Sequence, residues 1–247
     1  MAARQKKPSR RKPTEDRRAR SPFARARRWA LRWSLRIGAA LMVLLLGWVA
    51  AYKVVNPPGG FYMLGEYRRI GSIEREWTPI SQISPHMPRA VVAAEDANFC
   101  LHWGFDMTEI RRALEADRRR GASTITQQTV KNAFLWHGRS WTRKALEAGG
   151  TPIVELLWSK RRILEVYLNI AEFDNGVFGV QAAAQHYFGT SAAELTPLQA
   201  ARLAAILPAP KSRSAAQPTP FVRARTAAIM DGAATIAADG RAACFED

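Results

Sequence analysis

The longest apolar stretch of the chain runs from Ile37 to Val55 and is interrupted only by Lys53. As a helix, these residues would span about 28 Å, close to the roughly 30 Å thickness of a bilayer's hydrocarbon core. Trp33, Trp48 and Tyr52 fall near its two ends, where aromatic side chains favour the membrane interface. The pattern predicts one membrane-spanning helix over residues 37–55.

A cleavable signal peptide is the alternative interpretation of this stretch. Val49-Ala50-Ala51 resembles a small-residue cleavage site. The uninterrupted run from Ile37 to Tyr52 is longer than the apolar core of most signal peptides. This length favours an uncleaved anchor.

The net charge of +16 is concentrated before the span. Residues 1–36 contain 14 Lys or Arg and two acids, a charge of +12, so the remainder carries 23 basic and 19 acidic residues, only +4. Because basic flanks stay on the cytoplasmic side, we expect a cytoplasmic arm over 1–36 and an exported domain over 56–247. Nucleic acid is a poor candidate partner, since the arm lacks interleaved aromatic residues and the globular part is nearly neutral.

Beyond a Pro- and Gly-rich connector at 56–60, helical spacing of apolar residues dominates. Residues 61–84 alternate only weakly, with a short strand predicted at 72–77, and Asp174-Asn175-Gly176 predicts a turn. Pro152 is expected to kink or break a long helix. The sequence therefore predicts a mainly α domain, with helices over 89–94, from 107, from 125, over 153–168, 180–188, 197–207 and 221–238.

Two polar features suggest chemistry. Glu95 and Asp96 follow a short apolar helix, where the helix dipole disfavours a carboxylate, a local cost often associated with function. Gly121 leads a second helix start that has capping-box spacing from Thr124 to Gln127. Free N–H groups at such a helix start can hold an anion, so we expect transfer chemistry on a phosphorylated substrate.

Cysteine and histidine add little to this interpretation. Cys100 and Cys244 would lie in an oxidising compartment if the domain is exported, yet two cysteines define no framework. We expect two unpaired thiols, with a disulfide as the alternative. The four histidines are too scattered to indicate a metal centre.

Four ordered motifs carry a family resemblance. E-D-x-x-F-x-x-H-x-G begins at Glu95, G-x-S-T-I-x-Q-Q-x-x-K-N at Gly121, R-K-x-x-E at Arg143, and K-x-x-I-L-E-x-Y-L-N at Lys160. Together they resemble the peptidoglycan glycosyltransferase family, the lysozyme-like domain of class A penicillin-binding proteins and their monofunctional relatives. The resemblance covers roughly residues 75–210.

The resemblance implies a lysozyme-like fold that polymerises lipid II into glycan strands, with undecaprenyl diphosphate as the leaving group. Glu95 resembles the general base, and Glu147 the second essential carboxylate, near the diphosphate. The resemblance implies no required cofactor and allows a divalent cation, Mg²⁺ or Mn²⁺, at Glu147. Substrate binding is expected of Asp96, Phe99, His102, Ser123, Gln127, Gln128, Lys131, Asn132, Arg139, Arg143 and Lys144.

The implied partners are lipid II, the growing lipid-linked strand, the inner membrane and proteins of cell-wall synthesis or division. Trp136 and Trp141, with Phe134 and Leu135, are expected to approach the membrane interface, with a place in the core as the equal alternative. Ser9-Arg10-Arg11-Lys12 fits the transpeptidase pattern S-x-x-K by chance, and its partner motifs are missing. The rival functions are a lysozyme-like lytic enzyme and a non-catalytic membrane scaffold.

Overall fold

The computed structural model describes residues 22–115, 123–136, 138 and 140–246. The chain divides after Leu45 into two compact units, and the second unit is Leu46–Asp247. Helix α1, Pro22–Ala51, contains a 27-residue stretch, Arg25–Ala51, that is long and apolar enough to cross a membrane. It starts earlier than the expected span and ends before Val55, because residues 52–55 form turns ahead of Pro57.

Ten further α-helices are present in the described part of the second unit. They are α2 Phe61–Ile70, α3 His86–Glu95, α4 Met107–Glu115, α5 Ile125–Phe134, α6 Trp141–Leu157, α7 Lys160–Ile170, α8 Val180–Phe188, α9 Pro197–Ile206, α10 Pro220–Ala238 and α11 Ala243–Glu246. Short 3₁₀ turns lie at Ile80–Gln82, Ala192–Glu194 and Pro210–Ser212. The predicted mainly α fold is confirmed.

A small three-stranded sheet accompanies the helices. Strand β1 is Glu74–Arg75, β2 is Glu172–Asp174 and β3 is Val177–Phe178. The spatial order is β1-β3-β2, with β1 parallel and β2 antiparallel to β3. The predicted turn joins β2 to β3, where Gly176 has a φ of +81°, a conformation that glycine adopts without strain.

The core is built where two groups of helices pack. Helix α3 packs against α9 and α10, and α5 packs against α6 and α7. Val91 and Val92 of α3, Ile125 of α5, Leu164 of α7 and Leu203 of α9 are almost completely buried. Burial of such side chains contributes about 1.5–3 kcal/mol each, so this packing fixes the ends of α3 and α5.

Helix α2 was not predicted, because its apolar residues do not form a clear stripe. It begins after Gly60, which packs so closely on α5 that a β-carbon would lie 1.8 Å from the Asn132 carbonyl oxygen. It ends at Gly71, in the left-handed conformation. Met63 is buried against the rest of the core. Tertiary packing therefore defines this helix more than its own periodicity does.

The expected flexible connector, residues 56–60, is held by two arginines. Arg75 donates from Nη2 to the Pro57 carbonyl oxygen at 2.6 Å. Arg162 donates from Nη2 to the Val55 carbonyl oxygen at 2.9 Å. These contacts fasten the connector to β1 and α7.

The last turn of α1 also belongs to the second unit. The indole nitrogen of Trp158 donates to the Val49 carbonyl oxygen at 2.8 Å. The rings of Trp48 and Tyr52 pack on Phe134, with centroids 5.3 and 5.4 Å away. Phe134 is therefore a core residue, in agreement with the second of the two alternatives for that side chain.

The expected break at Pro152 is wrong, since α6 continues through it to Leu157. Thr151 is fully buried and donates to the Glu147 carbonyl oxygen at 2.7 Å. Gly150 lies against Val130 of α5. This packing outweighs the lost backbone hydrogen bond, and the helix ends where Ser159 caps α7.

The expectation of two unpaired thiols is also wrong, because Cys100 and Cys244 form a disulfide with their Cα atoms 5.7 Å apart. The bridge joins the loop after α3 to α11. Arg89 of α3 pairs with Glu246 through two nitrogens, at 2.5 and 3.0 Å. The packing of the C-terminal residues on α3 brings the cysteines together, and spacing 144 residues apart could not reveal it.

We predict that Cys244→Ser lowers the free energy of unfolding by about 2–4 kcal/mol, because the bridge closes a very long loop in the unfolded chain. Urea unfolding of the detergent-solubilised protein, followed by far-UV circular dichroism, measures the change.

The matched control is the same pair of proteins in reductant. There, wild type and variant should unfold at the same urea concentration. Equal stability under oxidising conditions would contradict the prediction.

Candidate active site

Glu95 is delivered by the buried end of α3 into a cavity of about 650 Å³. Its Oε2 accepts a hydrogen bond from Nε2 of Gln128 at 2.9 Å, and Nη2 of Arg225 lies 3.6 Å from its Oε1. Burial raises the pKa of the Glu95 carboxyl, whereas the Gln128 hydrogen bond and the charges of Arg225 and Lys131 act in the opposite direction. A buried carboxyl with a raised pKa in a cleft is a candidate general base.

The side chain of Asp96, next to Glu95, binds the first turn of α5 and His102. Its Oδ2 accepts from the backbone N–H of Ile125 at 2.9 Å, and its Oδ1 lies 2.7 Å from Nε2 of His102. The first N–H group of α5 therefore binds the protein's own carboxylate and is not free to bind a substrate anion.

The capping box of α5 is confirmed, and it includes Gln127, one of the residues expected to bind substrate. Thr124 accepts from the Gln127 N–H at 3.3 Å, and Gln127 Oε1 accepts from the Thr124 N–H at 3.0 Å. The Thr124 hydroxyl donates to the Gly104 carbonyl oxygen at 2.7 Å. Gln127 is buried in this cap, whereas Gln128, one residue on, faces Glu95.

Phe99 and His102 support the site from behind. Phe99 is completely buried, and its expected role in substrate binding stays a prediction. Nζ of Lys160 lies 4.4 Å from the centre of its ring and donates to the His102 carbonyl oxygen at 2.8 Å. The first motif, which contains Phe99 and His102, thus contacts the fourth motif, which begins at Lys160.

Glu147 is buried between two cations. Its Oε2 accepts from Nη1 of Arg143 at 2.8 Å, and its Oε1 accepts from Nζ of Lys144. The same Lys144 nitrogen lies 3.2 Å from Oγ of Ser123. This arrangement brings Ser123, Arg143, Lys144 and Glu147 together, as the motifs predicted. Arg139 lies outside the described residues.

Lys131 links the two carboxylates electrostatically. Burial lowers the pKa of its ammonium group; the Glu147 and Glu95 charges oppose this shift, and Arg143 and Lys144 add to it. Lys131 of α5 therefore interacts electrostatically with both the candidate base and the cation pair around Glu147. Among the residues described, we call Lys131, Arg143 and Lys144 the cationic cluster.

A second cavity of about 330 Å³ lies beside the first and shares Gln128 and Pro208 with it. Its walls include Lys131 and Asn132 of α5, two of the residues expected to bind substrate. Lys211 also lines it, with Nζ 2.9 Å from Oε2 of Glu66. Gln128, which contacts Glu95, thus stands at the junction of the two cavities.

Several site residues were missed by sequence reasoning. The loop after Pro208 is basic and rich in proline, and this pattern could have indicated Lys211 and Arg213 as lining residues. Tyr62 and Arg225 come from helices that no motif marked. Each reaches the site only through the packing of α2 or α10.

The residues available for a metal are already bonded to the protein. Asp96, His102 and Asp106 offer ligand atoms within 4.8 Å of one another. Asp106 binds the N–H groups of Thr108 and Glu109 through Oδ1, and Nδ2 of Asn98 through Oδ2. With both oxygens of Asp96 also engaged, this cluster braces the loop between α3 and α4.

A mainly helical domain with a buried carboxylate beside a cationic cluster has the groups that a group-transfer enzyme needs. The transglycosylase family matches residues 63–234, more than half of the chain. The chain therefore belongs to the transglycosylase family and is a glycosyltransferase. The match extends the expected range of 75–210 in both directions, to α2 and most of α10.

Relatives agree with this assignment. A biosynthetic peptidoglycan transglycosylase of Jannaschia sp. is 58% identical over 219 residues, covering 89% of this chain and 90% of the relative. Proteins of the same name from Xanthomonas campestris pv. campestris and Escherichia coli are 45% and 50% identical, covering 80% and 73% of this chain and 84% and 79% of the relatives. The similarity thus covers between 73% and 90% of each protein.

Replacing Glu95 or its neighbour Asp96 by the uncharged amide should have opposite effects on the free energy of unfolding. We predict that Asp96→Asn lowers the free energy of unfolding by about 1–3 kcal/mol, because it leaves a buried donor unpaired. Glu95→Gln should leave it equal or higher at neutral pH. The reason is that a carboxyl whose pKa is raised in the fold favours the folded state at low pH and loses that contribution as pH rises.

Chemical unfolding of both variants at pH 7, followed by circular dichroism, measures the difference. An Asp96→Asn protein as stable as wild type would contradict the bracing role.

Proposed function

We propose that this chain polymerises lipid II into glycan strands, with undecaprenyl diphosphate as the leaving group and Glu95 as the general base. The observation that carries the proposal is the shared cleft: Glu95 is hydrogen-bonded to Gln128 of the same helix that carries Lys131. The relatives named as biosynthetic peptidoglycan transglycosylases support the substrate class.

The proposed reaction starts with proton transfer to Glu95. The 4-hydroxyl oxygen of the acceptor sugar attacks the anomeric carbon of the donor, and its proton passes to the carboxylate. Oε2 is held by Gln128, so Oε1 is the oxygen that takes the proton. A positioned carboxylate base contributes typically 10²- to 10⁴-fold to such a rate.

The electron pair of the broken bond leaves with the diphosphate. Lys131, Arg143 and Lys144 carry three positive charges against one negative charge on Glu147, a local balance of +2. A cluster with this excess charge stabilises the departing diphosphate through charge-assisted hydrogen bonds. Glu147 keeps the cations positioned before substrate binds.

A divalent cation at Glu147 fits this arrangement poorly. Both carboxylate oxygens are engaged, one by Arg143 and the other by Lys144. A metal ion would have to displace one of these partners. The proposed reaction therefore runs through the cationic cluster and through no metal-dependent step.

We also propose that the second unit lies outside the cytoplasm, with α1 as a single-pass anchor in the inner membrane. The basic residues before the span support this orientation. The disulfide between Cys100 and Cys244 supports an oxidising compartment. Since lipid II and its polymer remain in the membrane, an anchored enzyme meets both at high local concentration.

We predict that Glu95→Gln lowers lipid II polymerisation by about 10²- to 10⁴-fold, because the acceptor hydroxyl loses its base. Glu147→Gln should also lower it, through disorder of the cations. Consumption of labelled lipid II by the full-length protein in detergent, followed by chromatography of the strands, measures both rates.

Glu194→Gln, on the exposed Ala192–Glu194 turn, is the matched control and should retain wild-type activity. Polymerisation by Glu95→Gln at the wild-type rate would refute the base assignment. Digestion of purified glycan strands without synthesis would instead support a lytic enzyme.

Exposed tryptophans provide a candidate membrane-facing surface. Trp141 is 88% exposed and Trp136 is 44% exposed, at the two ends of the connection between α5 and α6. We predict that replacing both by Ser lowers the tryptophan fluorescence that brominated lipids quench, because indole rings favour the membrane interface. The protein used is full length and reconstituted into liposomes, and the quenched emission of wild type and variant is compared.

The control for this experiment is Leu198→Ser, an exposed apolar residue on α9. Its emission should be quenched as in wild type. Equal quenching of wild type and the double tryptophan variant would remove the membrane assignment for this surface.

A further inference from the structure

Helix α10 lies directly on the helix that delivers Glu95. It begins at Pro220 after the Thr219 cap and packs against both α3 and α9. At Gly232 the approach to α3 is close, since an added β-carbon would lie 3.2 Å from that of Ala93. Any side chain of α10 that points toward the end of α3 is therefore held firmly at the candidate base.

Arg225 is the side chain in that position. Its Nη2 donates to the Ala94 carbonyl oxygen at 3.3 Å and lies 3.6 Å from Oε1 of Glu95. It lines the 650 Å³ cavity together with Arg213. Its Nε is buried and has no hydrogen-bond partner among the residues that the structure describes.

We propose that Arg225 is the positioning residue of the general base, holding the Glu95 carboxylate charged and oriented before the acceptor sugar binds. This inference rests on the proposed function. Neither the motifs nor the similarity to relatives assigns a role to Arg225. Its contacts are to the backbone and the carboxylate at the end of α3, so it acts through Glu95.

Two features of Glu95 explain why it needs such a partner. It is buried, and it stands at the C-terminal end of a helix, where the dipole disfavours negative charge. Arg225 offsets both effects, because its cation neutralises the carboxylate and its N–H group binds a carbonyl of the last helical turn. The charged, proton-accepting form of Glu95 is favoured as a result.

The distance is as important as the charge. At 3.6 Å, Nη2 is too far from Oε1 for a hydrogen bond, so that oxygen remains able to accept a proton. A tight bidentate ion pair would lower the basicity of the carboxylate too far for a general base. The single long contact keeps Glu95 ionised without occupying its reactive oxygen.

Other groups face Glu95 from each neighbouring helix and must be considered. Gln128 and Lys131 approach from α5, Tyr167 from α7, and Asp96 follows in the chain. Lys131 is shared with Glu147 and belongs to the diphosphate side. Arg225 is thus the cation whose removal should change Glu95 without disturbing the leaving group.

The test is the pH dependence of kcat and KM for lipid II polymerisation by full-length Arg225→Gln in detergent. The acidic limb of the kcat profile should move up by about one pH unit, because a cation within about 4–6 Å lowers a carboxyl pKa by 1–3 units and Arg225 is partly exposed. Activity should fall about tenfold below the new limb and recover at higher pH, with KM nearly unchanged. Arg225→Lys should keep the wild-type limb.

Arg223→Gln is the matched control, since Arg223 lies on the same helix but is exposed and donates to the Pro218 carbonyl oxygen. It should behave as wild type. An unmoved limb in Arg225→Gln would overturn the proposal. So would a rise in KM alone, which would indicate a substrate contact, or an equal loss of activity at every pH.

A second measurement does not depend on catalysis. A double-mutant cycle of Glu95→Gln and Arg225→Gln, read from unfolding free energies, should show coupling above the limb and none below it. If Arg225→Gln fails to fold, the cycle is run with Arg225→Met, which keeps the length of the side chain and removes its charge, and the same coupling above the limb is expected. Absence of lipid II turnover in wild type, with the coupling intact, would refute the proposed function and leave the Glu95–Arg225 interaction standing.

Discussion

The structure depends on one hydrogen bond, from the backbone N–H of Ile125 to the carboxylate of Asp96. It fixes the first turn of α5 against the residue that follows α3. Because Asp96 is next to Glu95 in sequence, the same contact sets how far along α5 the candidate base lies. Gln128, one turn later, then meets Glu95 and completes the alignment of the two helices. A carboxylate at a helix N-terminus is favourable, so this alignment is stabilised by the dipole of α5.

The charges of the domain are arranged around this alignment. The second unit is nearly neutral overall, yet Arg143, Lys144 and Lys131 gather near Glu147, and Arg225 lies beside Glu95. The proposed reaction uses both environments, Glu95 to accept a proton and the cationic cluster to stabilise the leaving group. Membership in the transglycosylase family agrees with that division of the cleft.

Much of this could be predicted from local sequence. The caps at Asp106, Thr124 and Thr196 were recognisable because a cap and its partner lie within three residues. The motif residues Glu95 and Glu147 were recognisable because their spacing to neighbouring polar residues is distinctive. The helical turn that brings Gln128 and Lys131 toward one cleft follows from the same short-range geometry.

The rest depended on contacts between distant parts of the chain. The N–H group of Ile125 at the start of α5, which was expected to be free, binds Asp96, 29 residues earlier in the chain. Arg225 reaches Glu95, and Cys244 reaches Cys100, only because the C-terminal helices fold back on α3 and the loop that follows it. At Pro152 a local rule failed because buried neighbours kept α6 intact. Residue spacing predicts turns and helix faces. These errors all concern contacts between segments that are distant in the sequence.

The hydrogen bonds that fasten the end of α1 and the connector have a mechanical consequence. The carbonyl oxygens of Val49, Val55 and Pro57 accept hydrogen bonds from Trp158, Arg162 and Arg75, respectively. The segment between the end of α1 and the rest of the domain is therefore held in place. The candidate active site is therefore held at a fixed distance from the last turn of α1, with no flexible tether between them.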